Sequence, residues 1–497
     1  MTRLPKSIVI AGGGTAGWLA ALILKDALRS EGTPLDVTLI ESIRIGTIGV
    51  GEGTTAVFRM ILQKLGFDEA EFLRETGATI KYGIRHKDWR RIGHHYDGPI
   101  DDPAAIVAGI DLYAVASGRS VAEAHLFQQL MKQKKVPWAL NGDRLVAAGP
   151  FHHAYHFDQA RAGTYLKSKA SGVTLLDDQI RSVRKNGEGV KALKLESGRE
   201  LTADFFIDCT GFRRVLIGEL GASWMSYADV LPVNRAMPFW IDIAEGEEID
   251  PLTLAFAQKN GWMWKIPTQD RYGCGYVYSD LHVSPEEAKA EIETALGHDI
   301  EPRNDIRIDA GRLDQSWIGN CCALGLASSF LEPLEATSIH GTIVQLLMLA
   351  NWLGDPDGRA KFNSAAATQV DDFRDFIRTH YISERRDSAF WQDVAESHPK
   401  PVTDRISHWR AQLPKRGDFQ AFPGDLPHVQ EQLYTPVLDG LGLLDRGSAK
   451  AVLAEDPKRR ARLRKAHEQL KKEYRQAASK CLPHRSYLQS LREAKAA

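Results

Sequence analysis

This chain predicts an α/β fold that opens on a nucleotide-binding βαβ unit and closes in a mostly helical lobe. Three observations carry the prediction. The chain begins with a β-branched strand, a glycine turn, a helical run and a second strand ("SIVIAGGG", "AGWLAALILKDALRSEG", "LDVTLIES"). Strand-like segments dominate residues 172–325, and nearly everything after 339 has helical periodicity. At 497 residues the chain exceeds what one core organises, so two or three lobes are expected.

Beyond the βαβ unit, residues 57–90 read as helix and end in "ATIKYGIRHKDW", which alternates like a strand. The stretch 97–149 starts rich in Pro, Gly and Asp, turns helical at "VAEAHLFQQLMKQKK", and reads as an insertion. Strands follow at "GVTLLDD", "VKALKLESG", "ELTADFFIDCTG", "RAMPFWIDI" and "RYGCGYVYS". After "IHGTIVQLLMLANWL", a long helical run places Phe373, Phe376, Ile377 and Tyr381 on one face. The tail "DPKRRARLRKAHEQLKKEYRQ" mixes both charge signs and reads as a solvated helix. The expected organisation is a discontinuous nucleotide-binding module, 1–96 and 150–345. The insertion 97–149 and a helical substrate-binding lobe, 346–497, complete it.

A formal net charge of −1 argues against a nucleic-acid binder or a membrane-surface protein. The five cysteines (Cys209, Cys274, Cys321, Cys322, Cys481) form no CxxC pair and no zinc spacing, which suits a reduced compartment. No apolar run reaches membrane-spanning length, and glycines interrupt the one at the N-terminus. The expectation is a cytoplasmic protein.

Gly12, Gly14 and Gly17 form GxGxxG between strand and helix. Those glycines permit the tight turn, the approach of a pyrophosphate and close helix–strand packing. The phosphate then sits on the helix N-terminus. Glu41 ends the second strand, where a carboxylate accepts from an adenosine ribose hydroxyl. No second domain with its own acid–base set follows, as a nicotinamide enzyme would need. Instead "WIGNCCALGLASSF" supplies a late strand, a small-residue turn and a helix. By fold analogy with flavoproteins of the monooxygenase type this favours FAD, on a Rossmann-like module with a mixed sheet.

Trp262 and Trp264 are two apart and share one strand face; aromatic alternation of this kind is most often core packing. Lys81 lies between Ile80 and Tyr82, in a setting where a lysine is either partly buried or snorkels to solvent. Glu332 and Glu335 sit in the apolar stretch "SSFLEPLEATS", where a charge is costly unless paired or used. Other polar residues carry less. His152 and His156 have helical i, i+4 spacing in a segment that reads as strand, without a third ligand, so no metal site is expected. His94 and His95 lie in a loop. His340 reads as a packed polar residue with one partner, and Cys321 and Cys322 as inert strand residues.

GGGTAGW at 12–18, GVGEGT at 49–54, WMWKIP at 262–267 and FLEPLEATS at 330–338 together resemble the flavin-dependent halogenases of the tryptophan halogenase family. The match runs from residue 8 to about 391, and the WxWxIP pattern is what separates that family from related flavin monooxygenases. The resemblance implies FADH2- and O2-dependent halogenation of an electron-rich, indole- or tryptophan-like aromatic. In that family a flavin C4a-hydroperoxide yields hypohalous acid, which reaches a lysine; here that lysine is Lys81. Glu335 inherits the active-site glutamate, thought to polarise the oxidant or stabilise the arenium ion. Cofactor contacts fall on Gly12, Gly14, Thr15, Ala16, Gly17, Glu41, Gly51, Glu52, Gly325 and Leu326. Halide, bromide or chloride, falls on Thr337 and Ser338. Trp262, Trp264, Ile266, Pro267 and Phe330 line the tunnel or substrate site.

The implied partners are a separate NAD(P)H-dependent flavin reductase and a small aromatic substrate, with a homodimer left open. Many relatives acting on free tryptophan have glycine where Ser338 stands, and carry a Tyr- and Glu-containing lid not found in "HVQEQLYTPVLDGLGLL". An open site for indole-like aromatics is therefore expected. Two alternatives stay open at this point: a flavin-dependent aromatic hydroxylase, and a non-catalytic flavin-binding paralogue.

Overall fold

A computed structural model describes residues 4–28, 35–45, 51–100, 109–142, 144–149, 152–187 and 189–496. The opening strand, Ser7–Ala11, is β-branched and buried on both sides from Ile8 onward, as a central parallel strand should be. It lies in a six-stranded sheet of order 173–177, 36–41, 7–11, 205–208, 321–323, 317–318, parallel except for the last pair. The chain leaves Ser7–Ala11 to one side for Asp36–Glu41 and reaches its other side only at Phe205–Asp208. That reversal opens a crevice at the carboxyl ends of the strands. The helix Thr15–Ala27 starts there and buries Trp18, Leu19, Ala20, Ile23 and Leu24 against the sheet.

Two further sheets form the floor of the molecule's interior. A three-stranded sheet pairs Ala154–Phe157 with Glu52–Gly53 and with Thr79–Lys81. A seven-stranded sheet has the order 306–307, 235–242, 271–278, 261–267, 252–257, 83–87, 95–99. Thr79–Lys81 belongs to the first and Gly83–Lys87 to the second, so the chain changes sheets at Tyr82, whose N–H donates to Pro251. Lys81 therefore sits at a junction.

On the seven-stranded sheet the period of two places Ile84 and His86 on the same face as Trp262, Trp264 and Ile266. Helices Thr337–Trp352 and Gly358–His380 lie over this interior. On the second of these, Phe373, Phe376 and Ile377 are buried, as is Tyr381 just beyond it. The helix Pro457–Lys480 buries Leu463, His467 and Ala478 and leaves its charged residues largely in solvent.

The 97–149 segment contains more than helix. Lys135–Asn141 and Arg144–Ala147 form a hairpin joined through Gly142 at φ +61°, and Cys481–Pro483 pairs with it as a third strand. The signal was Gly142-Asp143 between apolar runs, a two-residue hairpin dipeptide. Ala154–Phe157 is a strand, so His152 and His156 do not share a helix face. Residues 101–108 and 143 of that insertion, and Gly49 and Val50 of GVGEGT, lie outside the described residues.

Candidate active site

The glycine turn is built by close approach. A Cβ on Gly12, at φ +107°, would sit 2.2 Å from the Cys209 carbonyl oxygen, and one on Gly17 would sit 1.9 Å from the Gly12 oxygen. A Cβ on Gly13 would meet the Glu41 carboxylate at 1.9 Å. Gly14 differs: nothing lies within 4 Å of its Cβ position, because it faces a cavity of about 280 Å³. Thr15, Ala16, Gly51, Glu52, Gly325 and Leu326 line the same cavity, with Gly325 at φ +62° over Ala16. Burial raises the Glu52 carboxyl to about 7. Glu41 stands beneath Gly13, outside the cavity wall, with Oε1 2.5 Å from Lys167 Nζ.

The far end of this cavity is aromatic. Trp262, Trp264, Ile266 and Phe330 line it; Pro267 does not, and its carbonyl instead accepts the Thr79 hydroxyl at 2.7 Å. The rings of Trp262 and Trp264 are 6.4 Å apart and tilted by 61°. Trp264 lies so close to Gly275 that a Cβ there would be 2.0 Å from its ring. Trp262 is fixed by Glu332, whose Oε2 accepts the indole N–H at 3.0 Å and the Tyr381 hydroxyl at 2.5 Å. Burial raises the Glu332 carboxyl to about 7, against those two bonds and the Arg378 charge.

Lys81 and Glu335 mark the boundary between this cavity and a small pocket of about 20 Å³. Thr55, Pro99, Ile100, His340, Phe373, Phe376, His428, Val429 and Leu433 close the pocket, while Lys81, Ile84, Glu335 and Thr337 line both spaces. Lys81 is 1% exposed. Burial lowers its ammonium to about 8, and the Glu335 charge works the other way. Its Nζ would stand 2.9 Å from any Cβ on Gly53, so a side chain there would displace the ammonium. His156, bonded to Thr253 at 2.8 Å, is kept neutral by burial and by the Lys81 charge.

Glu335 and Ala336 are both non-glycine residues at positive φ, +66° and +54°, immediately before the helix Thr337–Trp352. Backbone held this way costs about 1–3 kcal/mol per residue and persists only where surroundings impose it. No side chain caps that helix: Ser338 is its second residue, exposed to the cavity, and its carbonyl accepts from Thr342. His340 holds two partners, Thr55 at 2.9 Å and the Pro427 carbonyl at 3.2 Å. Cys321 and Cys322 are buried thiols pushed up by burial.

Sequence reasoning missed what stands behind Glu335. Its Oε1 is 3.0 Å from His86 Nε2 and 3.4 Å from His380 Nε2. The imidazoles of His86 and His380 stack at 4.6 Å, tilted by 16°, and the Tyr96 ring also stacks on His86 at 4.6 Å, tilted by 11°. These three ligand-type groups lie within 4.8 Å of one another. Two imidazoles sharing a zinc ion aim lone pairs at it in their own planes from about 2.0–2.1 Å. Near-parallel stacked rings cannot both do so. The sequence signal was slight: His86 follows Ile84 at strand period and so shares its buried face.

Comparison with known proteins agrees with this architecture. The family model for tryptophan halogenase matches residues 7–456. The chain is 34% identical to tryptophan 6-halogenase SttH of Streptomyces toxytricini, over 92% of this chain and 93% of that one. It is 32% identical to tryptophan 7-halogenase RebH of Lentzea aerocolonigenes, over 88% and 89%. The structure of BrvH, a flavin-dependent halogenase from Brevundimonas sp. BAL3, superposes with a TM-score of 0.84 at 31% identity, covering 99% of this chain and all of that one. The chain belongs to the tryptophan halogenase family of flavin-dependent halogenases.

Proposed function

We propose that this enzyme halogenates an electron-rich aromatic ring of the indole type, using FADH2, O2 and bromide or chloride. The observation that carries this reading is the shared boundary: Lys81 and Glu335 line both the cavity beneath the glycine turn and the small apolar pocket. The residues of the larger cavity fit a flavin dinucleotide. Gly14 leaves an open cradle at a helix N-terminus, where unpaired N–H groups favour a pyrophosphate, and Thr15, Ala16, Gly51, Glu52, Gly325 and Leu326 would hold the rest. When bound and reduced, the flavin would pass two electrons to O2, and the oxygen so activated would oxidise halide.

This chain's residues do the remainder. The uncapped first turn of Thr337–Trp352, with Thr337 and Ser338, holds the halide through backbone N–H groups. Trp262, Trp264, Ile266 and Phe330 keep water and the substrate ring apart from the flavin side. The Lys81 ammonium donates a hydrogen bond to the oxidised halogen species and holds it at the partition. Glu335 faces the ring with a negative charge that stabilises the cation formed on halogen transfer.

Pocket chemistry selects the substrate class. Among its described lining, Lys81 is the sole lysine or arginine, so a free amino acid's carboxylate has no arginine or second lysine to pair with. A neutral indole-like ring fits better than free tryptophan, and at about 20 Å³ the pocket must widen to admit it. A separate NAD(P)H-dependent reductase supplies FADH2, and the reaction runs in the cytoplasm; no described helix is long and apolar enough to cross a membrane.

The test is an assay with FAD, a flavin reductase, NADH, O2, bromide and indole, read by the bromine isotope pattern. Bromoindole is the expected product. Hydroxylated product formed equally without halide would assign the chain as a hydroxylase instead. Flavin binding with only hydrogen peroxide released, whatever the aromatic, would favour a non-catalytic role.

A further inference from the structure

Three buried polar atoms face one another behind Glu335: its own Oε1, His86 Nε2 and His380 Nε2. Both histidines are fully buried. At 3.0 and 3.4 Å the atoms are close, yet neither imidazole N–H is aligned with the oxygen, and none of the three has another hydrogen-bond partner. Hydrogen bonds of catalytic groups commonly tighten only when substrate is bound.

The surroundings fix what each group can do. Burial keeps the Tyr96 phenol protonated, and its hydroxyl lies 3.1 Å from His380 Nδ1. The neutral phenol has a proton to give to Nδ1, and in that arrangement His380 carries its own proton on Nε2, facing Glu335. Burial and the neighbouring His86 hold His380 neutral. The charged or titratable groups facing Glu335 are thus Lys81, His86 and Tyr96 from the strands and His380 from the helix. Trp89 stands edge-on to both imidazoles, 5.9 and 6.0 Å away, and excludes water from them.

We propose that His86 and His380 are positioning residues that grip Oε1 of Glu335 through their Nε2–H groups, leaving its other oxygen as the base for the halogenated ring. After halogen transfer the ring is a cation with both hydrogen and halogen on one carbon. The C–H bond breaks, its electron pair restores the aromatic ring, and the proton passes to the free carboxylate oxygen. A cation and an anion thereby become a neutral haloarene and a neutral acid. The inference rests on the role proposed above for Glu335.

The experiment compares His86→Phe, His380→Phe and the glutamine and asparagine variants at both positions, with indole, ring-deuterated indole, bromide and FADH2. Glutamine places an N–H where Nε2 was; asparagine does not. The phenylalanine variants are expected to lose about tenfold in kcat with little change in KM. The acid limb of their pH profile should move up as each donor to a carboxylate is lost. They should also show a primary isotope effect absent from the native enzyme, because deprotonation has become slow. Glutamine should restore rate and limb where asparagine fails. Thermal melting and flavin fluorescence report separately on the fold. Phenylalanine variants with an unmoved limb and no isotope effect, or equal rescue by both amides, would overturn the inference. A fully active Glu335→Gln variant would instead overturn the underlying role of Glu335.

Discussion

The Glu332 carboxylate accepts the indole N–H of Trp262 at 3.0 Å, joining the loop before the helix Thr337–Trp352 to the central strand of the WxW motif. The same oxygen accepts from Tyr381, at the end of the helix Gly358–His380. Glu332 thereby fixes one wall of the larger cavity, while Glu335, three residues on, faces Lys81. Glu332→Ala leaves two buried donors unpaired, at about 1–3 kcal/mol each. Its thermal unfolding midpoint should fall by several degrees, whereas Glu332→Gln, which still accepts, should stay close to native. Equal losses in the two variants would remove hydrogen bonding as the reason for this residue.

Lys81 is set by two opposed effects, burial lowering its ammonium to about 8 and Glu335 raising it. Halogenation that needs the protonated form should decline as pH rises through about 8, well below the ordinary lysine range. Removing the Glu335 charge leaves burial alone, so Lys81 should titrate lower still in Glu335→Gln. Carbon-13 labelling at the lysine ε-carbon reads both values; an unchanged or raised value in the variant would show that the two groups are not coupled. Lys81→Ala should abolish halogenation, by at least about a hundredfold, while FADH2 is still oxidised.

The glycines of the first turn separate fold from ligand. Gly17→Ala drives a methyl to 1.9 Å from the Gly12 carbonyl oxygen, so the variant should be destabilised whether or not flavin is present. Gly14→Ala meets no protein atom within 4 Å. It should melt like the native apoprotein yet bind FAD at least tenfold more weakly, as measured by fluorescence titration. A native affinity in Gly14→Ala would place the pyrophosphate elsewhere.

Local spacing made the βαβ unit, the WxW face and the acidic stretch legible, because each depends on neighbours within one element. Ile8–Ala11, Gly12, Trp262 and Trp264 needed only strand period and turn chemistry. The grip on Glu335 could not be read that way. His86 and Tyr96 meet through strand register, and His380 arrives on a helix almost three hundred residues later. A histidine on a buried strand face was the available hint, and nothing in the sequence says which distant oxygen it faces. The strand hairpin after Gln133 was missed for a different reason, since its Gly-Asp signal was overshadowed by the preceding helical period. Likewise Gly275 reads as an ordinary strand glycine until Trp264 is seen lying over it.

That last contact yields a test of the aromatic wall. On the sheet, Trp264 is paired with Gly275, and its six-membered ring occupies the space a side chain would need. Gly275→Ala must therefore push Trp264 toward the cavity it lines, narrowing the route between the flavin side and Lys81. We expect halide oxidation to uncouple from product, with hydrogen peroxide rising and bromoindole per FADH2 falling about tenfold. Trp264→Phe removes the outer part of the ring, so the double variant should recover much of the yield that Gly275→Ala loses. Such non-additivity is expected only of residues in contact. Strictly additive losses would mean that Gly275 acts through the strand backbone, and that the position of Trp264 does not control passage along the wall.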